Sequence, residues 1–357
     1  MAAMTGLFAA AVCVAATPSS DEAAALSRYA FSQVEMAAAI DIILYAPDEA
    51  VAARAAEAAF CRFRSLNRVL SDYDSKSEVR RLCDMSVAGR PVPVSDDLWR
   101  VLCRAQQISE QSDGAFDVTI GSVVRLWRRA RRQGEFPDPE RLDEARRRVG
   151  FRHVKLHPES RSVELLHEGM RIDLGGIAMG YAVDEAMRVL REHGINRFVI
   201  DGSGDIGAGD PPPGSPGWVV GIPGLDENAP PVACVHLANR SLTTSGDSVQ
   251  FVVIDGRRYS HIVDPRTGIA LTDHSCVTVV AADTMTADAL ASAVSVLGVA
   301  KGLELVESTP GTAALIQRAP SGEYERHESR RWEELPKVKA KETAKTPLGL
   351  VTGTMRE

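Results

Sequence analysis

The chain has 357 residues, 45% of them hydrophobic and 25% charged, with a net charge of −7. That is enough for one large domain or two ordinary ones, and the negative balance argues against a nucleic-acid binder, which needs a basic face. No run approaches the roughly 18 apolar residues of a mature transmembrane helix. Six cysteines, at 13, 61, 83, 103, 234 and 276, form no CxxC pair and no zinc spacing with histidine; most read as small buried side chains, which leaves the compartment open.

Residues 5–16 have the length and composition of a short signal-peptide core, but no Lys or Arg precedes them, and Cys13 lacks the upstream Leu of a lipoprotein. Residues 1–26 are therefore either an export signal or a disordered Ala-rich leader on a cytoplasmic protein. Residues 28–46 predict a strand pair ending in Ile42-Ile43-Leu44-Tyr45, and 48–70, Ala-rich with an apolar face, a helix. A polar turn spans 71–78, where Ser77 caps a short helix. Ser95-Asp96-Asp97 opens a helix to about 112, and Asp113-Gly114 closes it. Residues 125–148 are rich in arginine and, with acids beside them, read as a solvated helical excursion.

A hairpin is expected over 151–156 and 162–166. A helix from about Tyr181 stops at His193-Gly194, with Gly194 the natural residue beyond the cap. Strands follow at 198–200, 218–222, 234–237, 250–254, 258–263 and 277–281. A helix over 286–297 is closed by Gly298, and 312–318 is the last strand. From Leu335 the chain is Lys-, Glu- and Thr-rich and reads as a disordered tail. Hairpins mixed with helices, without internal repeats, predict an α+β fold.

The segment Arg171-Ile172-Asp173-Leu174-Gly175-Gly176-Ile177-Ala178-Met179-Gly180-Tyr181 sets a carboxylate at the end of an apolar run, then bare backbone, then a helix start. Glycines let a ligand approach the main chain, and the free N–H groups and dipole of a first helical turn suit phosphate. A buried strand-to-helix turn capped by Asp173 accounts for the same residues. Gly202-Ser203-Gly204-Asp205-Ile206-Gly207 has the form G-x-G-x-x-G after a strand. The Pro211-Pro212-Pro213 that follows cannot be the helix a dinucleotide fingerprint requires, so this is a close-packed loop whose Asp205 either caps it or faces a ligand.

Three further segments have the same character. Tyr259-Ser260-His261-Ile262-Val263-Asp264-Pro265-Arg266-Thr267-Gly268 ends a strand on a histidine and makes an Asp-Pro turn. Asp288 and Ser292 lie four apart, hence on one helix face, and a carboxylate with a hydroxyl suits magnesium rather than zinc. Asp113-Gly114-Ala115-Phe116-Asp117 places an aromatic and an acid beside a glycine turn. Singly, these residues also read as a core histidine, a capping pair and a core aromatic.

Together the segments resemble the ApbE family, the FAD:protein FMN transferases, from about Tyr29 to Gln317. The family pattern Asp-Leu-Gly-Gly-Ile-Ala-Lys-Gly-Tyr-Ala-Val-Asp is met at 173–184 except at Met179. His-Ile-x-Asp-Pro-x-Thr-Gly is met at 261–268, and Thr-Ala-Asp-x-Leu-Ala-Thr at 286–292 with Ser292 for the last threonine. Thr243-Thr244-Ser245-Gly246-Asp247 and Ser71-Asp72-Tyr73 also look like family segments.

The resemblance implies one catalytic domain over 27–334, ApbE-like and T-fold-related, with largely antiparallel strands and flanking helices. It implies Mg2+-dependent transfer of FMN from FAD to a Thr or Ser hydroxyl of an acceptor flavoprotein, with release of AMP. By position, Asp288, Ser292 and the main chain of Gly176 would hold Mg2+, and Asp173 would contact the flavin nucleotide. Tyr73 would stack on the isoalloxazine, and Ala115, Phe116 and Asp117 would line the adenosine or ribityl side. Met36, Met179 and Ile262 would lie near the cofactor; His261 and Asp264 would lie by the phosphates, with His261 moving a proton. Some family members hydrolyse FAD instead, so an FAD pyrophosphatase is one alternative; two departures, Met179 for lysine and Ala37-Ala38 for Gly-Thr, are set against the pattern, and Met179 keeps open a second, a flavin-binding protein with weakened catalysis.

Overall fold

The computed structural model describes residues 26–87, 89–226, 228–338 and 351–352. The expected leader lies outside them, as does most of the expected tail. In chain order the elements are β1 (Ser27–Glu35), β2 (Ala38–Ala46), α1 (Glu49–Leu70), α2 (Glu78–Met85), β3 (Val92–Pro93), α3 (Asp96–Gln111), α4 (Gly121–Gln133) and α5 (Pro139–Arg146). There follow β4 (Val154–His157), β5 (Ser162–Leu165), α6 (Ala178–Glu192), β6 (Phe198–Gly202), β7 (Asp205–Ala208), β8 (Trp218–Ile222), β9 (Ala233–Leu237), β10 (Ser241–Gly246), β11 (Phe251–Ile254) and β12 (Arg257–Ser260). The chain then runs through β13 (Ser275–Ala281), α7 (Thr284–Ser308), β14 (Ala313–Arg318), β15 (Glu325–Glu328), α8 (Arg330–Glu333) and β16 (Val351–Thr352).

An eight-stranded sheet in the order β1-β2-β6-β7-β10-β13-β14-β15 organises the molecule, and every pairing in it is antiparallel. Side-chain alternation along each strand divides its apolar residues between two cores. Ile40, Ile42, Leu44, Ile200, Val277 and Val279 face α1, α6 and α7. Their neighbours Ile43, Val199, Leu242 and Val280 face the other way, against β8, β9 and Trp332 of α8. The fold is α+β, as the sequence predicts.

Several elements depart from the sequence reading. The glycine-rich 202–207 segment is not a loop but the β6–β7 hairpin. β10 escapes detection because it is nearly all polar, yet every one of its residues is buried. Two of its hydroxyls are satisfied inside: Ser241 shares a hydrogen bond with Thr284 (2.8 Å) and Thr244 with Thr278 (2.9 Å). The Arg-rich excursion is two helices, α4 and α5, and β15 and α8 follow the expected last strand. Pro336 and Val338 bond to β9, His236 N–H donating to the Pro336 carbonyl (2.8 Å) and Val338 N–H to that of Cys234 (2.9 Å). The folded chain therefore runs past 334. Cys61 is exposed rather than buried.

α7 reaches Ser308, broken at Gly298 by a φ of 73°. Contrary to the sequence reading, it is long and apolar enough to cross a bilayer, with a mean hydropathy of 1.6; in the fold its buried face packs on α6, β10 and β13. The β1–β2 turn places Met36 and Ala37 at φ 52° and 62°, the left-handed pair a two-residue hairpin turn requires.

α6 begins at Ala178, three residues before the expected start, so Gly180 lies in its first turn. A Cβ there would fall 2.5 Å from the Thr284 carbonyl oxygen and 2.9 Å from Asp288 Cβ. α6 and α7 thus meet backbone to backbone. Gly180→Ala should gain about 1 kcal/mol of helix propensity but lose about 1–3 kcal/mol to overpacking. The expected outcome is a lower melting temperature, read by circular dichroism.

Candidate active site

A cavity of about 500 Å3 opens where the first turn of α6, the second turn of α7, the β1–β2 and β6–β7 turns, β10, α4 and the 260–265 loop converge. The sequence-named residues Met36, Tyr73, Ala115, Phe116, Asp117, Asp173, Gly176, Met179, His261, Ile262, Asp288 and Ser292 all line it. Asp264 does not. Its carboxylate accepts from the Arg266 backbone N–H (2.9 Å) and from the Arg266 guanidinium, so it holds the turn after Ile262 rather than facing the phosphates.

Gly176 and Ser292 are pressed together: a Cβ at 176 would stand 2.8 Å from Ser292 Oγ. Asp288, one turn earlier on α7, is buried and accepts from Gly180 N–H at 3.3 Å. Burial, with the charges of Asp205 and Asp184, pushes its carboxyl well above the ordinary range. Burial, with Asp201 and Asp184 nearby, likewise raises Asp205 to about 7. Asp205 Oδ1 and Thr243 Oγ1 are buried without a hydrogen-bond partner.

Buried oxygens in excess of the donors around them suit a hard cation. Among the described residues no three His, Cys, Asp or Glu side chains form a metal cluster. A cation here would complete its shell with hydroxyl, main-chain and ligand oxygens, which is how Mg2+ is commonly held.

The opposite wall is basic, and the sequence reading missed it. Arg128 of α4 donates to Asp173 Oδ2 (2.8 Å), ion-pairs with Asp72 and lies 4.3 Å over the Tyr73 ring. It gathers three segments at the cavity rim. In an arginine-rich run nothing set it apart from its solvated neighbours. Tyr73 itself is 75% exposed, so one face of the ring remains open above the cavity. Asp173 Oδ1 accepts from Gly175 N–H (2.9 Å), which fixes the glycine turn. The Asp117 carboxylate is occupied, accepting from Thr119 N–H (2.8 Å) and Phe151 N–H (2.6 Å). Asp205 faces the cavity, the second of the two roles its sequence context allowed.

His261 is held by a neighbouring hairpin. Its Nδ1 lies 3.2 Å from the Gln250 carbonyl, so Nδ1–H donates and Nε2 keeps its lone pair. Burial, reinforced by the cations of Arg131 and Arg128, lowers its pKa to about 4, and the ring is neutral at pH 7. Trp127 of α4 donates to the Gly268 carbonyl (2.9 Å) and packs on Tyr259, tying the basic wall to the loop that carries His261.

A family model described as the ApbE family matches residues 36–316. The chain is 34% identical over 279 residues to an FAD:protein FMN transferase of Treponema pallidum, covering 73% of this chain and 76% of that protein. It is 31% identical over 267 residues to that of Haemophilus influenzae, covering 72% and 77%. Among solved structures it is similar to the apo flavinyl transferase ApbE of Pseudomonas stutzeri, with a TM-score of 0.77 at 28% identity over 87% of this chain and 97% of that one. It is similar also to the ApbE protein of Thermotoga maritima, with a TM-score of 0.76 at 27% identity over 87% and 100%. With the signature turn, the Asp288/Ser292 pair and the His261 loop converging on one cavity, and a family match that spans most of the chain, this protein belongs to the ApbE family.

Proposed function

We propose that this protein transfers FMN from FAD to a Thr or Ser hydroxyl of an acceptor flavoprotein and releases AMP. One observation carries the reading: a neutral histidine with a bare Nε2 shares its cavity with a helix start suited to phosphate and an oxygen-rich acidic wall. Its relatives are named FAD:protein FMN transferases, which supports transfer of FMN from FAD to a protein. Asp288, Ser292 and the Gly176 main chain would hold Mg2+, which when bound supplies positive charge to the displaced phosphoryl group.

The residues of the chain have distinct tasks in this reading. The positive end of the α6 dipole favours the pyrophosphate, and Arg128 fixes Asp173 and Tyr73 about the nucleotide. His261 Nε2 takes the proton of the acceptor hydroxyl. That oxygen bonds to the FMN phosphorus as the bond to the AMP phosphate breaks, and AMP leaves with the electron pair. Met179 fills the space beside Gly202, where a Cβ would meet its sulfur at 3.1 Å; it packs rather than contributing a cation.

The test follows AMP release and protein-bound flavin with FAD and Mg2+, with and without a candidate acceptor domain and the Thr→Ala form of its target. Parent protein should label the acceptor and not its variant. Release of AMP at an equal rate without acceptor favours the pyrophosphatase, and no release removes both reactions. His261→Ala should slow transfer about 100-fold or more. Asp288→Asn should abolish AMP release while the metal-free protein melts no lower, because a neutral amide removes a buried acid.

The His261 shift also predicts a pH dependence of stability. An unfolded imidazole binds a proton near 6.5, whereas the folded one does so only at about 4. Between these values the unfolded state binds more protons, so stability falls as pH drops from about 6.5 towards 4. His261→Asn should therefore lose less stability than the parent between pH 7 and 5, by up to about 2 kcal/mol in urea unfolding.

A further inference from the structure

Beside α4 runs a second depression, a groove of about 1060 Å3, which shares Tyr73 and Arg128 with the cavity. Arg125, Arg129 and Arg132 occupy positions i, i+4 and i+7 of α4 and so share one face. The buried Val123, Trp127 and Ala130 take the other. Arg80, Arg141, Arg148 and Arg171 add to the lining, with the carboxylates of Asp72, Glu144 and Glu168 among them; Arg171 is paired with Asp84 and Asp72 with Arg128. Glu144 is engaged by Arg148 at 2.6 Å. Among the described residues, Arg125, Arg132 and Arg141 have no carboxylate partner, although the chain as a whole carries a net charge of −7. Holding like charges together costs stability through self-repulsion, so this concentration on an acidic protein is a signal for an anionic occupant.

We propose that the arginine groove docks an acidic segment of the acceptor flavoprotein and leads its hydroxyl past Tyr73 into the cavity. The inference rests on the transferase reading, which requires an acceptor chain to enter there. The net charge of −7 on the chain as a whole disfavours a long polyphosphate or an anionic membrane, whose charge would extend beyond the groove. A short acidic peptide stretch matches the groove in sign and extent, and charge complementarity of this kind speeds encounter and sets orientation.

The test uses fluorescence anisotropy of four probes: a fluorescein-labelled oligo-glutamate peptide, its oligo-glutamine twin, oligothymidylate and phosphatidylglycerol vesicles. The unmodified protein should bind oligo-glutamate, weakening as NaCl rises from about 50 to about 500 mM, and should bind the glutamine twin far less. The combined Arg125→Glu, Arg132→Glu, Arg141→Glu variant should lose at least about tenfold in affinity and keep FAD binding, read by flavin-fluorescence quenching. With a working acceptor it should raise KM for that acceptor and leave acceptor-free AMP release unchanged. Should the triple reversal fold poorly, Arg→Gln at the same positions gives the same comparison. Equal binding of both peptides, salt-independent binding, an unaffected variant, or tighter binding of oligothymidylate or vesicles overturns the proposal. A parent that binds oligo-glutamate but releases no AMP fails the transferase reading instead, so the two failures are separable.

Discussion

The backbone-to-backbone contact of α6 with α7 at Gly180 is the constraint on which the site depends. With no side chain at 180, the first turn of α6 sits directly on the start of α7. Asp184 then reaches across to cap α7, accepting from Thr284 N–H (2.8 Å) and Met285 N–H (2.9 Å). Burial against these few donors raises the Asp184 carboxyl to about 6. The same contact sets Asp288 over Gly180 and Ser292 over Gly176, one helical turn apart. Two helix starts and two oxygen-bearing side chains are thereby aligned on one wall, which no loop could hold as firmly.

The cavity is electrically polarised. One wall gathers Asp205 and Asp288, with Asp184 and Asp201 nearby, and burial disfavours ionisation of Asp205, Asp288 and Asp184. The other carries Arg128 and Arg131 from α4. A cation relieves the first wall and a phosphate complements the second, so the ion and the nucleotide each meet what they need. His261 stays uncharged at neutral pH chiefly because it is buried, with Arg131 and Arg128 adding to the shift. Burial keeps the base unprotonated, and the arginines that suit an anionic substrate reinforce it.

The large sheet explains how these walls stay apart. Its alternating strands bury two cores, one beneath α1, α6 and α7 and one beneath β8 and β9, and the β1–β2 and β6–β7 turns bring Met36, Ala37 and Ser203 to the cavity. β10 runs through the middle as a polar strand, with Ser241 and Thr244 paired to neighbouring hydroxyls and Thr243 facing the cavity. A strand built this way gives up apolar burial in return for a floor of hydrogen-bonding groups beneath the ligand space.

The sequence by itself determined the main helices, most strands, the α+β class and the family. Those features rest on local periodicity, capping residues such as Ser77 and Ser95, and contiguous motifs. It could not show β7 or β10, because glycine and hydroxyl residues carry no apolar signal until tertiary partners satisfy them. Nor could it separate Arg128 from Arg125, Arg129 and Arg132: composition is the same, and only the fold turns one towards Asp72 and Asp173 while its neighbours line the groove. Asp264 shows the converse. It stands within a motif as conspicuous as any in the chain, yet its carboxylate closes on Arg266 two residues away, because the local turn satisfies it before the cavity can. Residue type and spacing state what chemistry is available; which groups are buried, paired or left facing a ligand follows from packing between segments far apart in sequence.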